Sequence, residues 1–241
     1  MKEERFFYVP DASEVDCLPD EEAVHAVRVL RLKEGDEIFL LDGKGCFYKA
    51  VITLASQRKC SYNIEQKIRQ NRTWKGRIHL AIAPTKMMER MEWMAEKATE
   101  IGFDELTFLD CKFSERKIVK LPRVEKIIVS AVKQSRKAWL PKVNAMTGFS
   151  EFVRMQRSGK KYICHCYDEV SRSDFFDSLS SVDTDGNDIT VMVGPEGDFS
   201  IDEVKLALEN GFESVSLGKS RLRTETAGLE AVMMANLCRR L

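Results

Sequence analysis

Val193-Gly194-Pro195-Glu196-Gly197-Asp198-Phe199-Ser200 joins an apolar run to the start of a helix, and its reading decides the fold. The residues before it, Ile189-Thr190-Val191-Met192-Val193, form the continuous apolar type of strand expected when both sheet faces are covered. Ser200-x-x-Glu203 is a capping box, so a helix begins at Ser200. The second such connection is Leu217-Gly218-Lys219-Ser220-Arg221-Leu222-Arg223-Thr224-Glu225-Thr226-Ala227. Two strand-to-helix loops on neighbouring strands form a pocket at the carboxyl edge of a sheet, where open α/β sheets bind ligands. Taken alone, Gly194-Pro195-Glu196-Gly197 fits a ligand-free tight turn equally well. The second loop says more. Arg221 and Arg223 precede a helix whose expected cap is Thr224, with Glu225 in its first turn. Arginines at the positive end of a helix dipole are unfavourable unless a negative or electron-rich partner is present. Surface salt bridges are the alternative.

Outward from these loops, the chain after Trp74-Lys75-Gly76 alternates strand and helix patterns. Strands are predicted at 78–83, 106–109, 162–166, 189–193 and 214–217, and helices at 87–101, 124–138, 200–210 and 224–240. In the first helix Met87, Met91, Met94, Ala95 and Ala98 form one stripe, and Gly102 stops it. Alternating β and α with buried strands predicts a mainly parallel α/β sheet. Before about residue 72 the pattern is different. Short strands at 6–9, 37–41, 46–52 and 60–64 surround the Asp42-Gly43 hairpin signal. Glu21 to Leu32 reads as a helix with Ala23, Val27 and Leu30 on one face. This predicts a small β-barrel over 1–72 and an α/β domain over 73–241. A barrel of ~70 residues is marginal alone. The polar stretch 183–188 reads as a loop.

Net charge is zero, but the charge is segregated. Residues 112–142 hold ten basic side chains against two acidic, and 168–213 hold thirteen acidic against two basic. Clustered positive charge is what phosphate binding requires, and the chain average conceals it. Solvated helix faces account for the same pattern equally well. The charged N-terminus lacks the apolar core of a signal peptide. Seven cysteines without a C-x-x-C pair argue for a reduced, cytoplasmic protein. The sequence has no G-x-G-x-x-G, no P-loop and no nucleophile elbow, which argues against the common nucleotide-binding and hydrolase architectures. Cys164-His165-Cys166 on a strand would put both cysteines on one face and His165 on the other, so no metal site is expected. His25 and His79 read as structural or RNA-facing.

The two loops together resemble the C-terminal signature of the RsmE family of SPOUT-class methyltransferases. Other segments match in order: Arg5-Phe6-Phe7; His25 with Val29-Leu30-Arg31; Lys86 with Glu89-Arg90-Met91-Glu92; Lys97-Ala98-Thr99-Glu100-Ile101-Gly102; Ser114-Glu115-Arg116; and Gln134-Ser135. The resemblance covers nearly the whole chain. It implies an N-terminal PUA-like β-barrel, a C-terminal SPOUT α/β domain with a trefoil knot, a homodimer, and S-adenosylmethionine as cofactor. The activity implied is methylation of N3 of a uridine in 16S ribosomal RNA of the small subunit, with no membrane or metal involved. A SPOUT enzyme acting on ribose 2′-O and a non-catalytic ribosome assembly factor are the alternatives. The implied cofactor residues are Val193, Gly194, Glu196 and Gly197 in one loop, and Leu217, Gly218, Leu222, Arg223 and Thr224 in the other. Arg223, Arg136 and Glu225 are the catalytic candidates. Arg5, His25, Arg28, Arg31, Arg116, Lys133, Arg136 and Lys137 are the candidates for gripping RNA. The chain departs from the family pattern at Asp198, where a glycine is usual, at Lys133 to Lys137, where the basic residues are shifted, and at Ser220 and Arg221.

Overall fold

The computed structural model describes residues 4–56, 59–180 and 188–241. By its contacts the chain divides into two compact units, Met1–Arg72 with Val129–Leu140 and Thr73–Ile128 with Pro141–Leu241.

In the first unit, β1 (Phe6–Tyr8), α1 (Asp20–Val24), β2 (Glu37–Leu41), β3 (Cys46–Ala55) and β4 (Cys60–Arg69) follow in order. The strands form one sheet in that same order. β1 pairs parallel to β2, and the other pairs are antiparallel. Two register shifts in the β3–β4 ladder sharpen its twist. Phe7, Val9, Ile38, Leu40, Tyr48, Ala50, Ile52 and Tyr62 pack into its core. The helix predicted over 21–32 is shorter and changes type. α1 passes at His25 into a single π turn, His25–Val29, and Arg31 adopts a left-handed φ of 53°. The wider turn buries Ala26 fully and leaves Val27 and Leu30 partly covered.

The second unit carries β5 (Ile78–Ile82), α2 (Met88–Ile101), β6 (Glu105–Asp110), α3 (Leu121–Gln134) and β7 (Lys142–Gly148). Then come α4 (Phe149–Arg154), β8 (Lys160–Cys164), β9 (Ser173–Asp174), α5 (Phe175–Ser180), β10 (Ile189–Val193), α6 (Ile201–Glu209), β11 (Glu213–Ser216) and α7 (Thr224–Arg239). The sheet order is β7-β6-β5-β10-β8-β11-β9. Every described pair in it is parallel. Ala81, Ala83, Leu109, Ile163 and Met192 meet Phe149, Phe152, Val204 and Ala207 of α4 and α6 on one face. On the other face α7 packs on β5, where Gly228 allows the approach: a Cβ there would lie 2.6 Å from Ile82 Cδ1.

Sequence patterning misplaced α3, predicted over 124–138. It starts earlier because Pro122, in its first turn, lacks only an amide that no helical carbonyl needs. It ends before Arg136, whose φ of 52° breaks the helix. The part of α3 after Ile128 belongs by its contacts to the first unit. β7, β9, α4 and α5 were not anticipated, being short or weakly patterned. Most of the polar stretch at 183–188 lies outside the described residues.

At the amino end of the sheet lies a buried polar cluster. His79 Nε2 is 2.8 Å from Thr107 Oγ1, and Arg157 Nη1 is 3.1 Å from His79 Nδ1. Because an arginine only donates, Nδ1 accepts and Nε2–H donates to the threonine. Asn144 Nδ2 donates to both Glu105 (2.6 Å) and Thr107 (2.9 Å). Burial pulls the His79 pKa down to about 4, against a partial opposing pull from Glu105. Unfolded, His79 titrates near 6.5, so between the two values the unfolded chain holds the extra proton. Stability is therefore lost as pH falls through that window, by on the order of 3 kcal/mol from this group. Urea unfolding across the window should show this slope in the wild type and a flatter one in His79→Gln; equal slopes would remove His79 as its source.

Candidate cofactor and RNA site

Because the strands are parallel, the loops that follow them gather at one edge of the second unit. β10 lies between β5 and β8. The Ala83 N–H donates to Val193 O at 3.0 Å, so the β5–β10 ladder continues to the loop itself.

The loop 194–199 is held from three sides. The Lys86 N–H donates to Glu196 Oε1 (2.9 Å), which fixes the β5 end. The capping box forms as predicted: Ser200 N–H donates to Glu203 Oε2 at 2.8 Å, and Ser200 Oγ accepts from the Glu203 N–H. The other oxygen of Glu203 accepts the Lys112 N–H at 2.8 Å, which fixes the β6 end. Asp198 takes the position where a glycine is usual, and its φ of 64° explains the glycine. A side chain there is strained by about 1–2 kcal/mol, least for Asp and Asn. Its carboxylate offsets the strain by accepting the Cys166 N–H and its neighbour Phe199 N–H, each at 2.7 Å. Tyr167 Oη donates to Phe199 O at 2.7 Å. The β8 and β10 loops are therefore joined twice.

Strand alternation through Cys164-His165-Cys166 does not hold, because β8 ends at Cys164. Cys164 and His165 are both buried, and Cys166 is exposed. His165 Nδ1 accepts the Tyr167 N–H (3.2 Å), so its Nε2–H donates to Ser214 Oγ (2.9 Å). Burial, together with Arg172 and against Asp198, lowers the His165 pKa. Burial and then Asp198 raise the Cys166 thiol. No metal-ligating cluster exists among the described residues.

In the loop after β11, Gly218 has φ 111°, and nothing lies within 4 Å of where a Cβ would stand. This is open backbone that a flat ligand can approach. The cap of α7 is Arg223, not Thr224, with no side-chain hydrogen bond at the cap; Thr224 is already helical and buried. Arg223 is exposed and makes no ion pair with a described residue. Glu225 is buried, and its Oε1 lies 3.5 Å from Arg90 Nη1 of α2. Beside Arg90 the carboxylate ties α7 to α2 and complements the helix dipole.

The candidate RNA residues are distributed between the units. Arg5, His25, Arg28, Arg31, Lys133, Arg136 and Lys137 all belong to the first. Lys133 pairs with Glu22 at 2.5 Å. Arg136 pairs with Glu4 at 2.7 Å and lies 5.4 Å from the Phe6 ring centre. Arg136 therefore makes its contacts in the first unit, whereas the glycine loops belong to the second. Arg116 is in the second, with its guanidinium on the carbonyls of Thr85 (3.1 Å) and Lys86 (2.5 Å). That bracing of the β5 loop was not foreseen. Nor were Arg90 and Arg172, whose partners are distant in sequence or carbonyls that leave no pattern.

Two family descriptions match the chain: RNA methyltransferase domain over residues 72–236 and RNA methyltransferase PUA domain over 18–63. A probable rRNA-methyltransferase of Porphyromonas gingivalis superposes with a TM-score of 0.90 at 42% identity, covering 98% of both chains. The ribosomal RNA small subunit methyltransferase E of Neisseria gonorrhoeae, solved bound to S-adenosyl methionine, gives 0.81 at 30% identity over 95% of both chains. The enzyme of the same name from Aquifex aeolicus is 30% identical over 212 residues, 85% of this chain and 87% of that one. The fold is thus shared with these relatives over most of the chain, and the chain belongs to the RNA methyltransferase family, among the relatives named ribosomal RNA small subunit methyltransferase E.

Proposed function

We propose that this protein transfers the methyl group of S-adenosylmethionine to N3 of a uridine in 16S ribosomal RNA of the small subunit. The observation that carries the reading is an exposed arginine, Arg223, with no ion pair among the described residues, at a helix N-terminus in the loop that holds the open backbone of Gly218. The residues fit the cofactor: Gly218 leaves its backbone open, and Val193, Gly194, Glu196 and Gly197 lie on a loop braced from three sides. With Leu217, Leu222, Arg223 and Thr224 they would hold it largely through main-chain groups. Bound there, the cofactor supplies an activated methyl on a sulfonium.

The protein's task is then to present the nucleophile in line with that methyl. Uridine N3 carries a proton at neutral pH and is occupied in a base pair, so the base must be taken unpaired. As N3 gives up its proton to solvent, negative charge spreads to O2 and O4, and the N3 lone pair so freed is what would take the methyl. The Arg223 guanidinium, adding to the positive end of α7, stabilises that charge. Arg5, His25, Arg28, Arg31, Lys133, Arg136 and Lys137 in the first unit grip the RNA backbone. Arg136, paired with Glu4, is one of these grips.

The reading carries the knotted path of the SPOUT class. Entry of β10 between β5 and β8, with α7 returning onto β5, supports it. It also carries a homodimer. Met233 and Leu237, one turn apart on α7, and Trp93 on α2 expose large apolar side chains on two helices that pack together. The working place is the cytoplasm, where the small subunit is made.

Small-subunit RNA from a deletion strain should lack one uridine N3 methyl; its persistence, or loss of a ribose methyl instead, would reject the assignment. Arg223→Ala should lower turnover by about 100-fold with S-adenosylmethionine affinity nearly unchanged. An unchanged rate would take Arg223 out of the mechanism. Sedimentation at micromolar concentration should give twice the 27.6 kDa chain mass, and a monomer would rule out the dimer.

A further inference from the structure

We propose that Phe113 is a stacking platform for a nucleobase of the substrate RNA, placed beside the cofactor loop. This rests on the function proposed above and names a contact that the reaction has not yet required. Phe113 stands in the loop after β6, and 46% of it is exposed although the turn that carries it is tightly held.

The mounting is rigid. Ser114 is buried, its Oγ accepts the Cys111 N–H at 3.1 Å, and its own N–H donates to Cys111 O at 3.1 Å. The Lys112 N–H is fixed to Glu203, the same glutamate that caps α6. Phe113 also touches the glycine loop: a Cβ on Gly197 would lie 3.3 Å from Phe113 Cβ. Among the described residues the ring stacks on no other ring, and its one cation–π neighbour is Lys112, with Nζ 5.8 Å from the ring centre.

Charge selects the occupant. The loop from Asp110 to Lys120 holds Lys112, Arg116, Lys117 and Lys120 against Asp110 and Glu115. Lys112 pairs with Asp202 and Lys117 with Asp110, and the loop keeps a positive excess, a setting for a phosphate backbone rather than for an apolar protein face. Phe113 and Ile118, large apolar side chains that this loop exposes, are also far short of the apolar area that a stable protein interface buries. A base extruded for methylation loses its stacking neighbours, and an exposed, pre-positioned ring replaces one of them.

The test compares Phe113→Ala, Phe113→Leu and Phe113→Trp. Methyl transfer would be measured on small subunits from the deletion strain, oligouridine affinity by fluorescence anisotropy, and S-adenosylmethionine affinity by calorimetry. Phe113→Ala should weaken oligouridine binding and lower kcat/KM for the subunit by about tenfold each. Phe113→Trp should recover most of the loss and Phe113→Leu little of it, with cofactor affinity unchanged in all three. Leucine serving as well as phenylalanine would overturn the proposal, because a platform needs a ring. A parallel loss of cofactor affinity would reduce Phe113 to packing on Gly197, and a change in association state would make the ring a contact between copies. If the wild type transfers no methyl, the function proposed above fails, while the oligouridine series still decides for or against the platform.

Discussion

The pairing of β10 with β5 is the contact on which the rest of the second unit depends. It joins strands more than a hundred residues apart in register from Ile189–Ile78 to Val193–Ile82. It also puts the loop 194–199 beside the end of β5. A parallel pair cannot be closed by a short turn, so everything between the two strands must be built as crossovers around it. The strand order reverses there, and the crevice at such a reversal is where an open α/β sheet receives a ligand. α7 then closes over β5, through a glycine because nothing larger fits against Ile82.

Position alone does not make a binding edge. Loops at the ends of strands are free to move unless polar groups fix them, and here most of the fixing is done by side chains on main-chain amides. Glu196, Asp198 and Glu203 each accept a backbone N–H from a different neighbouring loop. Arg116 and Arg172 donate to main-chain carbonyls of two of these same loops, at Thr85, Lys86 and His165. Charge-assisted bonds of this type are the stronger class of hydrogen bond. They leave the open backbone at Gly218 and the exposed side chain of Arg223 as parts still available to ligands. The buried cluster around His79 is at the opposite end of the strands, so its sensitivity to acid acts on the fold rather than on the reacting groups.

The elements legible in the sequence were those with a strong local signal. The strands ending at Ile82 and Val193, the capping box at Ser200 and the methionine stripe of α2 all depend on residues a few positions apart. The glycine loops were legible for the same reason, and the matched motifs identified the family. What was misjudged depends on contacts between distant residues. The His25–Val29 π turn buries Ala26 because of the core it meets, and α3 ends where Arg136 turns left-handed. The Arg90 partner of Glu225, far away in sequence, leaves no local trace at all.

The sequence by itself determined an α/β architecture preceded by a β-rich unit, a carboxyl-edge pocket and a methyltransferase signature. Hydrophobic period, capping and glycine placement act over a few residues, and each leaves a trace that can be read along the chain. Only the tertiary structure decided which strands became neighbours, which carboxylates were consumed in bracing the loops, and which side chains stayed open. Those outcomes depend on through-space pairing, to which chain order gives no address. Asp198 shows the difference: in the sequence it is a departure from a glycine, and in the fold it is the acceptor that joins two loops.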